Sequence, residues 1–399
     1  MPPVEFLLFG ATLVGVALFH RHVLAIAAAG LVAITAYKFL VTGFADGPGL
    51  SGLLAHLRHE WVILANLFGL LVGFALLADH FELSKVPKVL PSYLPDDWHG
   101  GVALLAIIFV LSAFLDNIAA ALIGATMAAG VFRNRVHIGY LAAIVAASNA
   151  GGAGSVLGDT TTTMMWIDGV AAIDVLHAYA ASGAAFFIFA IPASLQQQRY
   201  SPIVKEGINA HRVDWSRIAI VAMILLAAIT ANVAVNRLPA AIGGSLPFLG
   251  IAVWLVLLLT SGWRKPTWNI LPGAVTGSLF LLALVLCASL MPVEKLPAAS
   301  PATTLGLGFL SAVFDNIPLT KLALDAGGFD WGFLAYAVGF GGSMIWFGSS
   351  AGVAVSNRFP EAKSVGAWLR SGWHVALAYV VGFAAIYYLL GWQPHAPHR

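Results

Sequence analysis

The chain has 399 residues, of which 60% are hydrophobic and only 10% charged, with a mean hydropathy of +0.88. A soluble domain carries about 25% charged residues, so the composition excludes a soluble globular protein and indicates a polytopic membrane protein. The lone Cys287 excludes an internal disulfide framework; the net charge of +2 says little, since what matters is which loops hold the charges, and no nucleic-acid partner is expected.

About 20 apolar residues cross a bilayer. On that measure spans are expected at 4–19, 22–42 and 59–79, the first read as retained and not as a cleaved signal. A hairpin over 101–132 is interrupted by Asp116-Asn117, and a segment over 137–178 is broken at Gly151–Asp159. A span at 179–195 completes a first repeat, 1–195. After a polar connector, 196–215, the pattern restarts in a second repeat, 216–399. It has spans at 216–236, 246–262 and 270–291 and a hairpin over 303–327 interrupted by Asp315-Asn316. A broken helix over 331–357, interrupted at Gly339–Ser343 and again at Gly348–Gly352, and a last span at 373–391 follow.

If neither hairpin crosses, each half crosses five times, and the second half is inverted relative to the first. The expected fold is therefore all-α: inverted five-crossing repeats, each with a re-entrant hairpin and a broken helix, a common plan of secondary transporters. The Lys and Arg residues test this independently. With both termini outside, fourteen of the twenty fall on the inner side, five outside, and Lys321 in the second hairpin. That bias obeys the positive-inside rule.

Of the eighteen acidic residues, fifteen are expected in loops, at helix ends or in hairpin flanks. The exceptions are Asp116, Asp159 and Asp315. A charged side chain at bilayer depth costs several kcal/mol, of order 3 on insertion scales, and two of these sit in the matching phrases Ser112-Ala-Phe-Leu-Asp-Asn-Ile118 and Ser311-Ala-Val-Phe-Asp-Asn-Ile317. Capping of a broken helix explains an Asp there, but Ser or Asn would cap without burying a charge. A carboxyl in a low-dielectric site keeps its proton, and a nearby Na+ displaces it. One carboxylate then holds a proton or a cation but not both, which is the minimal chemistry of cation/proton exchange. Asn117, Asn316, Asn149, Ser155 and the run Thr160, Thr161, Thr162 and Thr163 add neutral oxygens that suit Na+ or Li+. The second broken helix offers Ser343, Ser349 and Ser350 and no matching acid. Lys321 forms either an i,i+4 pair with Asp325 or a charge that counters Asp315 or replaces an ion. His137, His177 and His374 are expected at helix ends, in the interface.

These stretches resemble the ion transporter superfamily and, within it, the NhaD-type sodium/proton antiporters. The resemblance is carried by the two Asp-Asn hairpins, by Asn149–Trp166 and by Gly341–Val353, with Gly158-Asp-Thr-Thr-Thr162 the most specific block. It implies Na+ at Asp116, Asp159 and Asp315, hairpins and broken helices moving in an elevator-like way against a scaffold, a homodimer, and an inner-membrane location. It implies no cofactor beyond the transported Na+ or Li+ and H+. Val156 stands where the family usually has Pro, and Lys321 where it usually has an apolar residue. Arsenite permeases and citrate transporters share the superfamily, so a carrier of arsenite or of di- or tricarboxylates is the competing expectation. A channel is disfavoured by the paired hairpins. An intramembrane enzyme is disfavoured because no His-Glu-x-x-His or Gly-x-Ser-x-Gly motif with partners occurs.

Overall fold

The computed structural model describes residues 3–19, 22–45, 47–204, 212–235, 237–238 and 240–395. Arg21, Lys205 and Arg399, which enter the charge count above, lie outside the described residues. Among the described residues the regular structure is helical. In chain order the helices are α1 (Val4–Leu18), α2 (Val23–Tyr37), α3 (Gly49–Leu83), α4 (Val86–Val89), α5 (Trp98–Ser112), α6 (Asn117–Val131), α7 (Ile138–Ala153), α8 (Thr160–Ile167), α9 (Ala172–Leu176) and α10 (Ala178–Tyr200). They continue as α11 (Trp215–Val235), α12 (Ala240–Gly243), α13 (Phe248–Thr260), α14 (Leu271–Ser289), α15 (Pro301–Ser311), α16 (Asn316–Ala326), α17 (Trp331–Gly341), α18 (Ser350–Arg358), α19 (Val365–Ser371) and α20 (Trp373–Leu390). Six of the helical stretches among the described residues are long and apolar enough to cross a bilayer. The chain is a multi-pass membrane protein.

The core is built around α7 and α17. Every residue from Gly139 to Ala153 in α7, and every residue of α17, is buried. A helix that is apolar on all sides belongs at the centre of a bundle. Both are short, and both stop at a break. Small residues let neighbouring backbones close in on them, as is usual between membrane helices. A side chain on Gly151 would strike the Phe109 backbone of α5, and one on Gly341 would strike the Gly308 backbone of α15. The Ser112 hydroxyl donates to the Ser148 carbonyl at 2.5 Å, and the Ser311 hydroxyl donates to the Val338 carbonyl at 2.7 Å.

The helix pairs α5–α6 and α15–α16 each close at their base. Val204 N–H donates to the Val131 carbonyl at the end of α6, and Gly100 at the start of α5 abuts Ile203 of the same segment. At the other pair, Gly328 lies against Ala299. The arms are 15, 15, 11 and 11 residues long, or roughly 16–23 Å at 1.5 Å per residue, short of the ~30 Å hydrocarbon thickness.

Around this centre stand α1, α2, α3, α11, α13 and α14. Helix α3 meets α13 where a Cβ on Gly69 would come within 2.9 Å of the Gly250 Cα. Asn66 of α3 accepts from Leu249 and Gly250 N–H at 3.1 Å each and so satisfies the start of α13.

Three boundaries differ from the sequence reading. Helix α3 has 35 residues, where a span over 59–79 is expected. The polar residues that suggested a boundary are partnered inside the protein: His56 with the Ser289 hydroxyl at 3.0 Å, and Glu60 with Lys321. Within 137–178, α8 ends at Ile167. Gly169 then takes a positive φ of 98°, a backbone that suits glycine, and the chain turns through α9 into α10. The second broken helix has a single gap, 342–349, because Gly339 and Gly341 stay helical and so do Ala351 and Gly352.

Candidate functional site

The three carboxylates come together where the helix breaks meet. Each caps the half-helix that follows it. Asp116 accepts from Ile118 N–H at 3.0 Å, Asp159 from Thr161 N–H at 3.2 Å, and Asp315 from Ile317 N–H at 3.0 Å. Capping uses one oxygen of each. The fates of the second oxygens separate the three. Oδ2 of Asp315 accepts from the Ser350 hydroxyl at 3.1 Å. The Thr160 hydroxyl lies beside the Asp116 carboxylate. Oδ2 of Asp159 is buried and has no hydrogen-bond partner among the described residues. Asp159 itself is 2% exposed, and Asp116 and Asp315 are its acidic neighbours.

The neutral ligands divide by role. Asn117 donates to Asn149 Oδ1 at 3.1 Å, and Asn149 donates onward to Ser343 at 2.9 Å and Ser349 at 3.2 Å. This chain of amides and hydroxyls ties α6 and α7 to the second broken helix. Ser155 donates to the Ala113 carbonyl at 2.6 Å, and Thr162 to the Ser155 carbonyl at 2.5 Å, so both hold the break closed. The Thr161 hydroxyl lies beside the Asp159 carboxylate, and Asn316 Nδ2 is buried without a hydrogen-bond partner among the described residues.

A cavity of about 720 Å³ reaches Asp116, Asp159, Thr160 and Ser350. One wall is α6, α8 and α18; the other is α3 and α14, with Leu67, Phe74 and Phe280 among its apolar lining. Asp79, Glu82 and Arg358 also line it. They lie at the ends of their helices, so the cavity leads from the carboxylates toward one end of the bundle.

Lys321 does not face this cavity. Its ammonium lies 3.0 Å from Glu60 Oε2 of α3 and 2.9 Å from Asp325 Oδ1 of its own helix, with Lys321 and Glu60 each 1% exposed. The expected i,i+4 pair forms, and Glu60 joins it. Sequence reasoning placed Glu60 at a helix end, since its partner stands 261 residues away. A Lys at a depth where its helix is otherwise apolar was the available signal that an acid must lie opposite. His374, expected in an interface, is fully buried, while His137 caps α7 by accepting from Gly139 N–H at 3.2 Å.

No protein-family model matches the chain. In an alignment of 316 positions that covers 71% of the chain, it is 27% identical to Sodium/proton antiporter 1 of Arabidopsis thaliana, of which the match covers 52%. In an alignment of 323 positions that covers 70% of the chain, it is 26% identical to Sodium/proton antiporter 2 of the same plant, of which the match covers 72%. The chain thus spans about half the length of the first of these relatives.

Proposed function

We propose that this protein is a secondary transporter, not an enzyme, that exchanges Na+ or Li+ for H+ across the inner membrane. The observation that carries the reading is the second oxygen of Asp159, buried without a partner beside Asp116 at the inner end of an open cavity. An ionised carboxylate in that position is costly unless a cation or a proton neutralises it. Asp116 and Asp159 provide the charge that a monovalent cation needs, and Thr160 and Thr161 provide neutral oxygens. A proton on the same carboxylate excludes the cation, so each ion leaves as the other arrives. The names of the two plant relatives agree with this chemistry.

Alternating access would come from the hairpins and broken helices moving against α3, α11, α13 and α14. The recurring contacts support a repeat: Ser112 to Ser148 with Ser311 to Val338, and Gly151 to α5 with Gly341 to α15. The closed hairpin bases support arms that return to the side they entered from. Segments expected on one face also meet: Asp174 with His395, and Asp330 with Gln393. So do segments expected on the other: Asp214 with Ser84 and Arg264. On that topology the cavity opens to the cytoplasm. The anion-carrier reading loses its main support, because Lys321 is taken up by Glu60 and Asp325.

The test is a pH-gradient assay in proteoliposomes, with Na+, Li+, K+, citrate and arsenite added in turn. Na+ or Li+ collapses the gradient with wild-type protein, and Asp116→Asn and Asp159→Asn reduce this to background while still inserting. Movement of an anion alone would reverse the assignment.

A further inference from the structure

The two broken helices can be set in register by their contacts. Placing Ser148 on Val338, the carbonyls that receive the hairpin serines, places Gly151 on Gly341, Asn149 on Gly339 and Asp159 on Ser349. It also places Thr160 on Ser350, and these hydroxyls lie beside Asp116 and Asp315 respectively. In this register the centre of the molecule holds two matching contacts. In one, Asn149 of α7 donates to Ser349, the cap of α18. In the other, Gly339 of α17 faces Asp159, the cap of α8; a Cβ on Gly339 would lie 3.2 Å from Asp159 Oδ2 and 3.4 Å from the Ala153 Cβ.

The first contact is closed and neutral. Its amide is fully used, by Asn117, Ser343 and Ser349. The second lacks the amide. Asn316, which corresponds to Asn117, would find its partner at residue 339, and its Nδ2 is buried with none. Asp159 Oδ2 would likewise receive that amide, and it too is buried with none. Two unpaired buried polar atoms therefore trace to one missing side chain. Natural proteins rarely leave such atoms orphaned without a reason.

Resting on the sodium/proton reading above, we infer that Gly339 is a specificity-determining residue, which supplies no side-chain donor to Asp159 Oδ2 and so leaves that oxygen to a transported alkali cation. The Asn149 contact is then a tether, and the ion is confined to the Asp159 half. A Cβ at residue 339 would lie 3.2 Å from Oδ2, so the residue there also ranks cations by radius. A methyl crowds an ion held on Oδ2 and penalises Na+ more than the smaller Li+. An amide there donates to the carboxylate, as Asn149 does to Ser349, and competes with any cation.

The experiment uses full-length protein in proteoliposomes and compares wild type, Gly339→Ala, Gly339→Asn and the double variant Gly339→Ala/Ala153→Gly. Ala153→Gly removes the nearest packing atom, so the double variant keeps the methyl beside Asp159 without the crowding. The half-saturating Na+ and Li+ concentrations are read from gradient collapse, with monodisperse elution checked for each protein. In Gly339→Ala and the double variant, the ratio of half-saturating Na+ to Li+ rises by roughly tenfold, the scale on which one methyl group discriminates in a tight site. Gly339→Asn loses response to both ions while still eluting as a folded protein. Active variants whose Na+/Li+ ratio matches wild type would overturn the inference and leave the exchange reading standing. A wild type inert to every alkali cation would overturn both.

Discussion

The two hairpins carry the same tip and face different surroundings. At both tips an Asp caps the returning arm and a hydroxyl from a broken helix approaches the carboxylate. Along the returning arms the likeness ends. Leu122 and Thr126 of α6 line the cavity, with Leu122 37% exposed. The corresponding positions of α16 are Lys321 and Asp325, locked to Glu60 of α3. The cavity thus lies beside the first arm and a buried ion pair beside the second. On the proposed transport cycle this asymmetry corresponds to one state, open on one side and closed on the other. The difference also explains the charged residues of α16 at that depth. The pair ties α16 to α3, away from the three carboxylates.

The strongest way to break the comparison is to remove the lock. Lys321→Met leaves the buried Glu60 and the partly buried Asp325 carboxylates without their shared ammonium, and loss of one member of a buried pair costs about 3–5 kcal/mol. The expected result is a clear fall in the unfolding temperature of detergent-solubilised protein, partly restored by Glu60→Gln in the same chain. An unchanged melting temperature would mean that the pair contributes nothing to closure.

Solvent access provides a sharper and gentler test. The native Cys287 is fully buried, so labelling background is low. Thr126→Cys should react quickly with a water-soluble maleimide, and Ala323→Cys, which replaces a 2% exposed residue, should not. Equal rates would erase the difference between the arms.

The smallest effect is expected away from both hairpins. The Arg264 guanidinium, 2.9 Å from Asp214, holds that carboxyl below the usual carboxylate range. A depressed folded pKa stabilises above the ordinary Asp value of about 3.9 and loses its effect as pH falls through the folded value. Arg264→Ala should therefore lower thermal stability slightly at neutral pH, and the gap from wild type should close in acid. A gap that widens in acid would contradict the assignment.

The breaks and the carboxylates were legible in the sequence because hydropathy is local. An Asp-Asn pair or a glycine run stands out within a single apolar segment, and the three acids flagged this way do meet at the half-helix caps. What sequence reasoning missed was pairing across the chain. Glu60 looked like a helix-end acid because His56, Arg58 and His59 surround it, and nothing local points to Lys321. Gly339 looked like one more permissive glycine. Its meaning appears only when α17 is laid on α7 and the amide of Asn149 is seen to have no counterpart. Matching the two broken helices by their Ser-to-carbonyl contacts requires a structure, since their sequences share little beyond glycine.

The most direct test of the central claim is proton release on ion binding. Purified protein in weakly buffered detergent solution would receive Na+ or Li+ while pH is followed, with Asp159→Asn alongside. Wild type is expected to release protons on Na+ or Li+ addition, and Asp159→Asn to release none. Binding of Na+ without proton release, or equal release from the variant, would contradict the claim that one carboxylate trades a proton for a cation.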